Sequence, residues 1–211
     1  MNIDIVYIII VIVVVLISMT LHEAMHAFTS YWLGDDTAKL HGRLTLNPIK
    51  HIDPFLTILL PLMLALSGAP IFGGAKPVPF NPNNVRFGEW GAALIALAGP
   101  ITNFIFAFLF FGIWVLVGAP DQGIWNQIFG TAISVNLGFF IFNMLPIPPL
   151  DGSRVLYALA PEFVRRIMER IERFGIIIVF VIILIAGSAF GSFMMSIINF
   201  FLNLFGYIFK L

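Results

Sequence analysis

From Phe174 to Phe209 the chain runs for 36 residues without a charged side chain. Ile5–Leu21, Trp90–Pro120 and Gln122–Leu150 are equally free of charge. A helix rises ~1.5 Å per residue and the hydrocarbon core of a bilayer is about 30 Å thick, so about 20 apolar residues cross it. A soluble fold has little use for several such runs, because each would be apolar on every face. The expected fold is therefore an all-α polytopic membrane protein, a helical bundle with a short β-hairpin or re-entrant region on its cytoplasmic side. Composition agrees: 60% hydrophobic and 10% charged residues leave no material for a separate soluble module.

One membrane domain over 1–211 is expected, with spans near 5–32, 90–117, 125–145 and 174–190. The stretch 55–68 is too short for a full crossing and is interrupted by Pro61, which suits a re-entrant or short segment. Residues 192–209 read as a returning or interfacial helix, because Phe174–Phe209 exceeds one untilted span. Weak alternation over Lys39–Leu46 predicts the hairpin, turning at His41-Gly42. The start of the chain lacks a basic flank and reads as an uncleaved first span.

Charge placement gives direction. Lys39, Arg43, Lys50, Lys76 and Arg86 lie between the first two full spans, five arginines follow Asp151, and the 118–126 connection has no Lys or Arg. By the positive-inside rule, 34–89 and 152–173 face the cytoplasm. A multi-pass protein of the cytoplasmic membrane is expected if the source is bacterial. Eleven basic and eleven acidic residues cancel, so nothing points to nucleic acid.

The first apolar run opens at Ile5 and carries no charge until His22-Glu23-Ala24-Met25-His26. Positions i and i+4 share one face of a helix, so His22 and His26 are spaced to grip one cation. Glu23 is rotated about 100° from His22, beside the metal's open position rather than on the metal. Two imidazoles with an adjacent carboxylate as general base make the zinc-hydrolase arrangement. Ionisable groups inside a span cost roughly 2.5–3.5 kcal/mol each on insertion scales, so they need a compensating partner. The chain has no cysteine, so any metal is held by His and carboxylate alone.

Asp151 is a candidate third ligand, delivered at the expected cytoplasmic end of the third span by the proline-rich stretch Pro146-Ile147-Pro148-Pro149-Leu150. Its alternative is an N-cap for the helix starting near Ser153. His41 and His51 read as surface histidines. Gly99 and Asn103 read as helix-packing positions, an intramembrane asparagine usually bonding across to a neighbouring helix. The stretch Gly73-Gly74-Ala75-Lys76-Pro77-Val78-Pro79-Phe80 reads either as a tight loop or as an edge for an extended peptide.

With these motifs in order, the sequence resembles the site-2 protease family of intramembrane zinc metalloproteases, in a compact form without a PDZ-like or CBS-like module. The resemblance rests on His22–His26, Phe72-Gly73-Gly74-Ala75-Lys76-Pro77-Val78, Ala98-Gly99-Pro100-Ile101-Thr102-Asn103, and Asn143-Met144-Leu145-Pro146-Ile147-Pro148-Pro149-Leu150-Asp151-Gly152. It implies one zinc ion held by His22, His26 and Asp151, Glu23 as general base, and Asn143 holding the substrate carbonyl. It also implies substrate contact at Gly73, Gly74 and Asn103. The substrates implied are transmembrane segments of other membrane proteins, cut in the bilayer. The alternative is a metal-binding membrane protein without proteolysis, such as a zinc transporter. That function would need a polar path to the opposite face, which Ile5–Leu16 does not offer.

Overall fold

The computed structural model describes residues 4–60, 63 and 74–210 and is built almost wholly of helices. We number the longer ones α1 (Ile5–Trp32), α2 (Glu89–Leu116), α3 (Gly123–Asn143), α4 (Asp151–Leu159), α5 (Glu162–Glu172) and α6 (Gly175–Phe209). Among the described residues four helices are long and apolar enough to cross a membrane: α1, α2, α3 and the Ile177–Phe209 part of α6. The protein is a multi-pass helical membrane protein.

Hydrogen bonds at the helix ends set the directions. Arg86 N–H donates to the Leu33 carbonyl (2.9 Å), which brings the end of α1 to the chain just before α2. At the other end Gln127 Nε2 donates to Asp4 Oδ2 (3.2 Å), so α1 and α3 start side by side. α1 and α3 are therefore parallel, with α2 antiparallel to both. α2 is the hub, packing on α1, α3, α4 and α6. Its buried face is made of Gly91, Ala92, Ala93, Ala96, Gly99 and Asn103, small side chains that let neighbouring helices approach closely.

Towards its other end α2 changes character. Phe104 packs on Phe140 (ring centroids 5.0 Å), and Phe108 and Phe111 pack on Phe205 (5.1 and 5.6 Å). These rings fasten the second half of α6 to α2 and α3. The first half of α6 starts at Gly175 against Pro148 and Pro149, and the helix is interrupted at Ala186, whose φ −106° and ψ 19° are not helical.

The hairpin expected over Lys39–Leu46 does not form, and no strand occurs among the described residues. Thr37–Leu40 is a single helical turn, followed by Arg43 N–H donating to the Ala38 carbonyl (2.8 Å). Asp35 sets this turn: its Oδ1 accepts from Thr37 N–H (3.1 Å) and Thr37 Oγ1 (2.6 Å). Local side-chain bonds of this kind outcompete a weak two-residue alternation. Asp35 Oδ2 also accepts from Ser30 Oγ (3.0 Å) and Asn81 N–H (2.8 Å), tying the end of α1 to the loop before α2. Burial opposes charge on this fully buried carboxyl, but the bonds from Thr37, Asn81 and Ser30 outweigh it. They hold the group below the ordinary carboxylate range.

His51 is not a surface residue. It is fully buried, its Nε2 bonded to the Thr45 carbonyl (2.8 Å) and its carbonyl accepting from Lys76 N–H (2.9 Å). His41 is exposed. Of the segment expected to be re-entrant, Pro54–Leu59 forms a wide helical turn capped by Asp53. Positions 61, 62 and 64–68 lie outside the described residues, as does Gly73.

Candidate metal centre

One turn of α1 places His22 and His26 on the face turned to α2, both buried, with rings 4.7 Å apart and nearly perpendicular. Asp151, the first residue of α4, meets them from the other side. His22 Nε2 lies 3.0 Å from His26 Nε2, and Asp151 Oδ2 lies 3.1 Å from the first and 3.4 Å from the second. Asp151 does not cap α4; no side-chain cap bond is made there. Its position depends on Gly152: an added Cβ would stand 2.5 Å from the Met144 carbonyl carbon and 2.8 Å from the Leu145 carbonyl oxygen. Only glycine lets α4 begin so close to the end of α3.

These three atoms fit a zinc ion. Zinc bonds to nitrogen and oxygen of about 2.0–2.2 Å, set tetrahedrally, put neighbouring ligand atoms about 3.3–3.6 Å apart, so a cluster at 3.0–3.4 Å needs to open by only a few tenths of an ångström. The remaining nitrogens are occupied elsewhere: His26 Nδ1 donates to the Ile95 carbonyl (2.7 Å), and His22 Nδ1 lies 2.6 Å from Asn103 Oδ1. A carbonyl only accepts, so the His26 proton sits on Nδ1 and its Nε2 keeps a lone pair able to bind a cation. The α2 backbone leaves room at the same point. A Cβ on Gly99 would come within 2.5 Å of His26 Nε2 and 2.7 Å of His22 Nε2. Gly99 thus walls the ligand cluster as well as serving helix packing.

The other expected residues fall differently. Glu23, next to His22, is half-buried and forms no hydrogen bond or ion pair among the described residues. Asn143 closes α3, half-buried, its Nδ2 donating to the Phe139 carbonyl (3.0 Å). Gly74 uses both backbone groups internally: its N–H donates to Leu56 O (3.0 Å) and its carbonyl accepts from Thr57 Oγ1 (2.7 Å). Asn103 is fully buried against His22, which does not suit the substrate contact expected of it. Sequence reasoning missed the Ile95 carbonyl, Asn136 and Ser18; the last two carried a signal, being polar side chains inside apolar runs.

A helical membrane bundle that draws two histidines and an aspartate to one point belongs to the class of membrane metalloproteins. The comparisons narrow this. Residues 118–187 match the family described as Peptidase family M50. YwhC of Bacillus subtilis is 42% identical over 175 residues, which cover 79% of this chain and 76% of that protein. Rip2 of Mycolicibacterium smegmatis is 34% identical over 183 residues, covering 83% and 67%. MJ0611 of Methanocaldococcus jannaschii is 48% identical over 62 residues, covering 29% and 31%. All three bear the words zinc metalloprotease in their names. No solved structure matches this chain. The chain belongs to peptidase family M50, the site-2 proteases, and is a zinc metalloprotease.

Proposed function

We propose that this protein cuts peptide bonds within or beside transmembrane segments of other membrane proteins, with His22, His26 and Asp151 as the zinc ligands and Glu23 as general base. One observation carries the reading: the three ligand atoms meet within 3.0–3.4 Å between helices of membrane-crossing length. Bound zinc there supplies Lewis-acid polarisation of the scissile carbonyl and makes water a better nucleophile at neutral pH.

The protein's own residues do the rest. Glu23 takes a proton from the attacking water as its oxygen bonds to the carbonyl carbon, and returns it to the amide nitrogen as the C–N bond breaks. Asn143 has a second Nδ2 hydrogen, beyond the one given to Phe139, for the substrate carbonyl. Gly73 and Gly74 contact the unwound substrate strand, Gly74 being held by its bonds to Leu56 and Thr57. Asn103 acts on His22 rather than on substrate.

By the positive-inside rule, the lysines and arginines between α1 and α2 and the arginines of α4 and α5 support a cytoplasmic location for this end of the bundle. In place of the crossing expected at 174–190, with 192–209 as a returning or interfacial helix, we place the fourth crossing in Phe190–Phe209, the part of α6 beyond its interruption at Ala186. Phe190 stands beside Phe142 at the metal end of α3 (6.2 Å), and Phe209 beside Phe111 at the far end of α2 (5.8 Å). Twenty residues of helix span about 30 Å.

The test pairs wild type with Glu23→Gln in one detergent preparation, measuring zinc content and cleavage of a panel of single-pass membrane substrates. Glutamine is nearly isosteric and is not a ligand here, so zinc stays. Cleavage is expected to fall about 10²–10⁴-fold, the usual worth of a general base. Wild-type cleavage by Glu23→Gln would refute the mechanism. Wild type that cuts soluble peptides and spares every membrane segment would refute the substrate class.

A further inference from the structure

Beyond the ligands, a line of buried polar groups leads from His22 into the bundle. Asn103 on α2 faces His22 with Oδ1, while its Nδ2 donates to Asn136 Oδ1 on α3 (2.9 Å) and to the Ser18 carbonyl on α1 (3.3 Å). Asn136 Nδ2 donates in turn to Ser18 Oγ (2.9 Å) and to the Ala132 carbonyl (2.8 Å). All four residues are nearly inaccessible: Asn103 0%, Asn136 2%, Ser18 4% and His22 6% exposed.

The direction of this chain is not arbitrary. An asparagine amide has one accepting and one donating end, and the network around it decides which way it points. The Ala132 carbonyl can only accept, so the Asn136 end facing it is the NH₂ and the oxygen is left for Asn103. The Ser18 carbonyl can only accept as well, so the Asn103 end beside it is also NH₂. The two constraints agree, since they set Asn103 Nδ2–H against Asn136 Oδ1. Asn103 Oδ1 is then the atom that meets His22, and an acceptor at 2.6 Å requires a proton on His22 Nδ1. Turning either amide round would set acceptor against acceptor at the main-chain carbonyl of a buried residue, Ala132 or Ser18.

We propose that Asn136 and Ser18 are positioning residues of the metal centre: through Asn103 they hold His22 with its proton on Nδ1 and its Nε2 turned to the metal. The inference rests on His22 being a ligand, as proposed above. The two histidines thus reach the same state by different means. His26 has a main-chain carbonyl of its own at Ile95, whereas His22 depends on an α2 amide that Asn136 on α3 and the Ser18 carbonyl on α1 orient. The relay also joins α1, α2 and α3 at the depth of the site.

The experiment is a double-mutant cycle on zinc affinity, measured by chelator competition on purified protein in detergent, with zinc raised to millimolar for weak variants. Asn136→Leu keeps size and removes both ends of the amide without touching His22. Its zinc Kd is expected to rise about 10–100-fold, as for other residues that orient a ligand. The absorption spectrum of the cobalt-loaded protein is expected to change with it, a signature that mere loss of packing would not give. In the His22→Ala background the same substitution should add nothing, because its target is gone.

An Asn136→Leu affinity within twofold of wild type, or losses that simply add to those of His22→Ala, would overturn the relay. An unchanged Kd in His22→Ala alone would instead overturn the ligand assignment, so the two failures are distinct. If Asn136→Leu does not fold, Ser18→Ala carries the test. It removes one neutral hydrogen bond to Asn136 and is expected to weaken zinc about threefold, and wild-type affinity there would overturn the proposal.

Discussion

The two halves of α1 invert the usual relation between hydropathy and burial. Ile5–Ile17 is the more apolar half, yet it faces outward, with Ile5 68% and Ile12 53% exposed. Every buried residue of the helix lies in the second half: Ser18, Met19, Thr20, His22, Ala24, His26, Ala27 and Ser30. In a soluble protein the isoleucines would be inside. Here lipid is as good a neighbour for isoleucine as another helix is, so no force draws that half inward. Polar groups gain from leaving the hydrocarbon, and small ones allow the contact in which they find partners. One half of the helix anchors; the other builds the site.

The strongest challenge to this comparison comes from the wall facing the buried half. Gly99→Ala would put a methyl group against the Nε2 atoms of both His22 and His26. Zinc measured on the purified variant is expected to fall from about one per chain, the content of a single catalytic site, to near none, while the helical circular dichroism persists. Full zinc occupancy in Gly99→Ala would show that the ligand cluster is wider than 3.0–3.4 Å in solution.

A paired substitution sharpens the contrast along α1 itself. Ala27 is fully buried where α1 meets its neighbours, so Ala27→Leu overpacks a closed contact and is expected to cost about 1–3 kcal/mol. Ile12→Ala, on the outward half, is expected to cost about 0.5 kcal/mol or less. Thermal midpoints in one detergent measure both. Equal losses would mean that the outward half has a partner of its own.

The smallest effect is confined to low pH. Asp35 anchors the end of the buried half through Ser30, and its folded pKa is depressed below the ordinary value of about 3.9. A depressed carboxylate contributes stability above its unfolded pKa and loses it as pH falls through the folded pKa. Wild type is therefore expected to keep its thermal midpoint from pH 7 to 5 and to lose part of it below about pH 4. Asp35→Asn should show a flatter profile over that lower range. Parallel profiles for the two proteins would remove Asp35 from the account.

Much of this protein was determined by its sequence alone. Charge-free runs of 29 to 36 residues leave a chain few options besides a membrane bundle. The ligand candidates were legible because helical periodicity is local: His22 and His26 share a face in any helix, and the proline-rich stretch stops α3 just before Asp151. The hairpin over Lys39–Leu46 was misread for the complementary reason. Its alternation was weak, and what decided the local structure was Asp35, whose partners Ser30, Thr37 and Asn81 come from three segments of chain.

Only the tertiary structure decided how the site is finished. An asparagine inside an apolar run announces that it needs a partner but does not say which. Asn103 could be read as helix packing or substrate contact until α1 and α3 brought His22 and Asn136 to its two ends. Gly99 and Gly152 likewise look like generic packing residues until the atoms that fill the space of their missing side chains are known. Hydrogen-bond direction and steric room depend on distances between helices far apart in sequence, and no spacing along the chain encodes them.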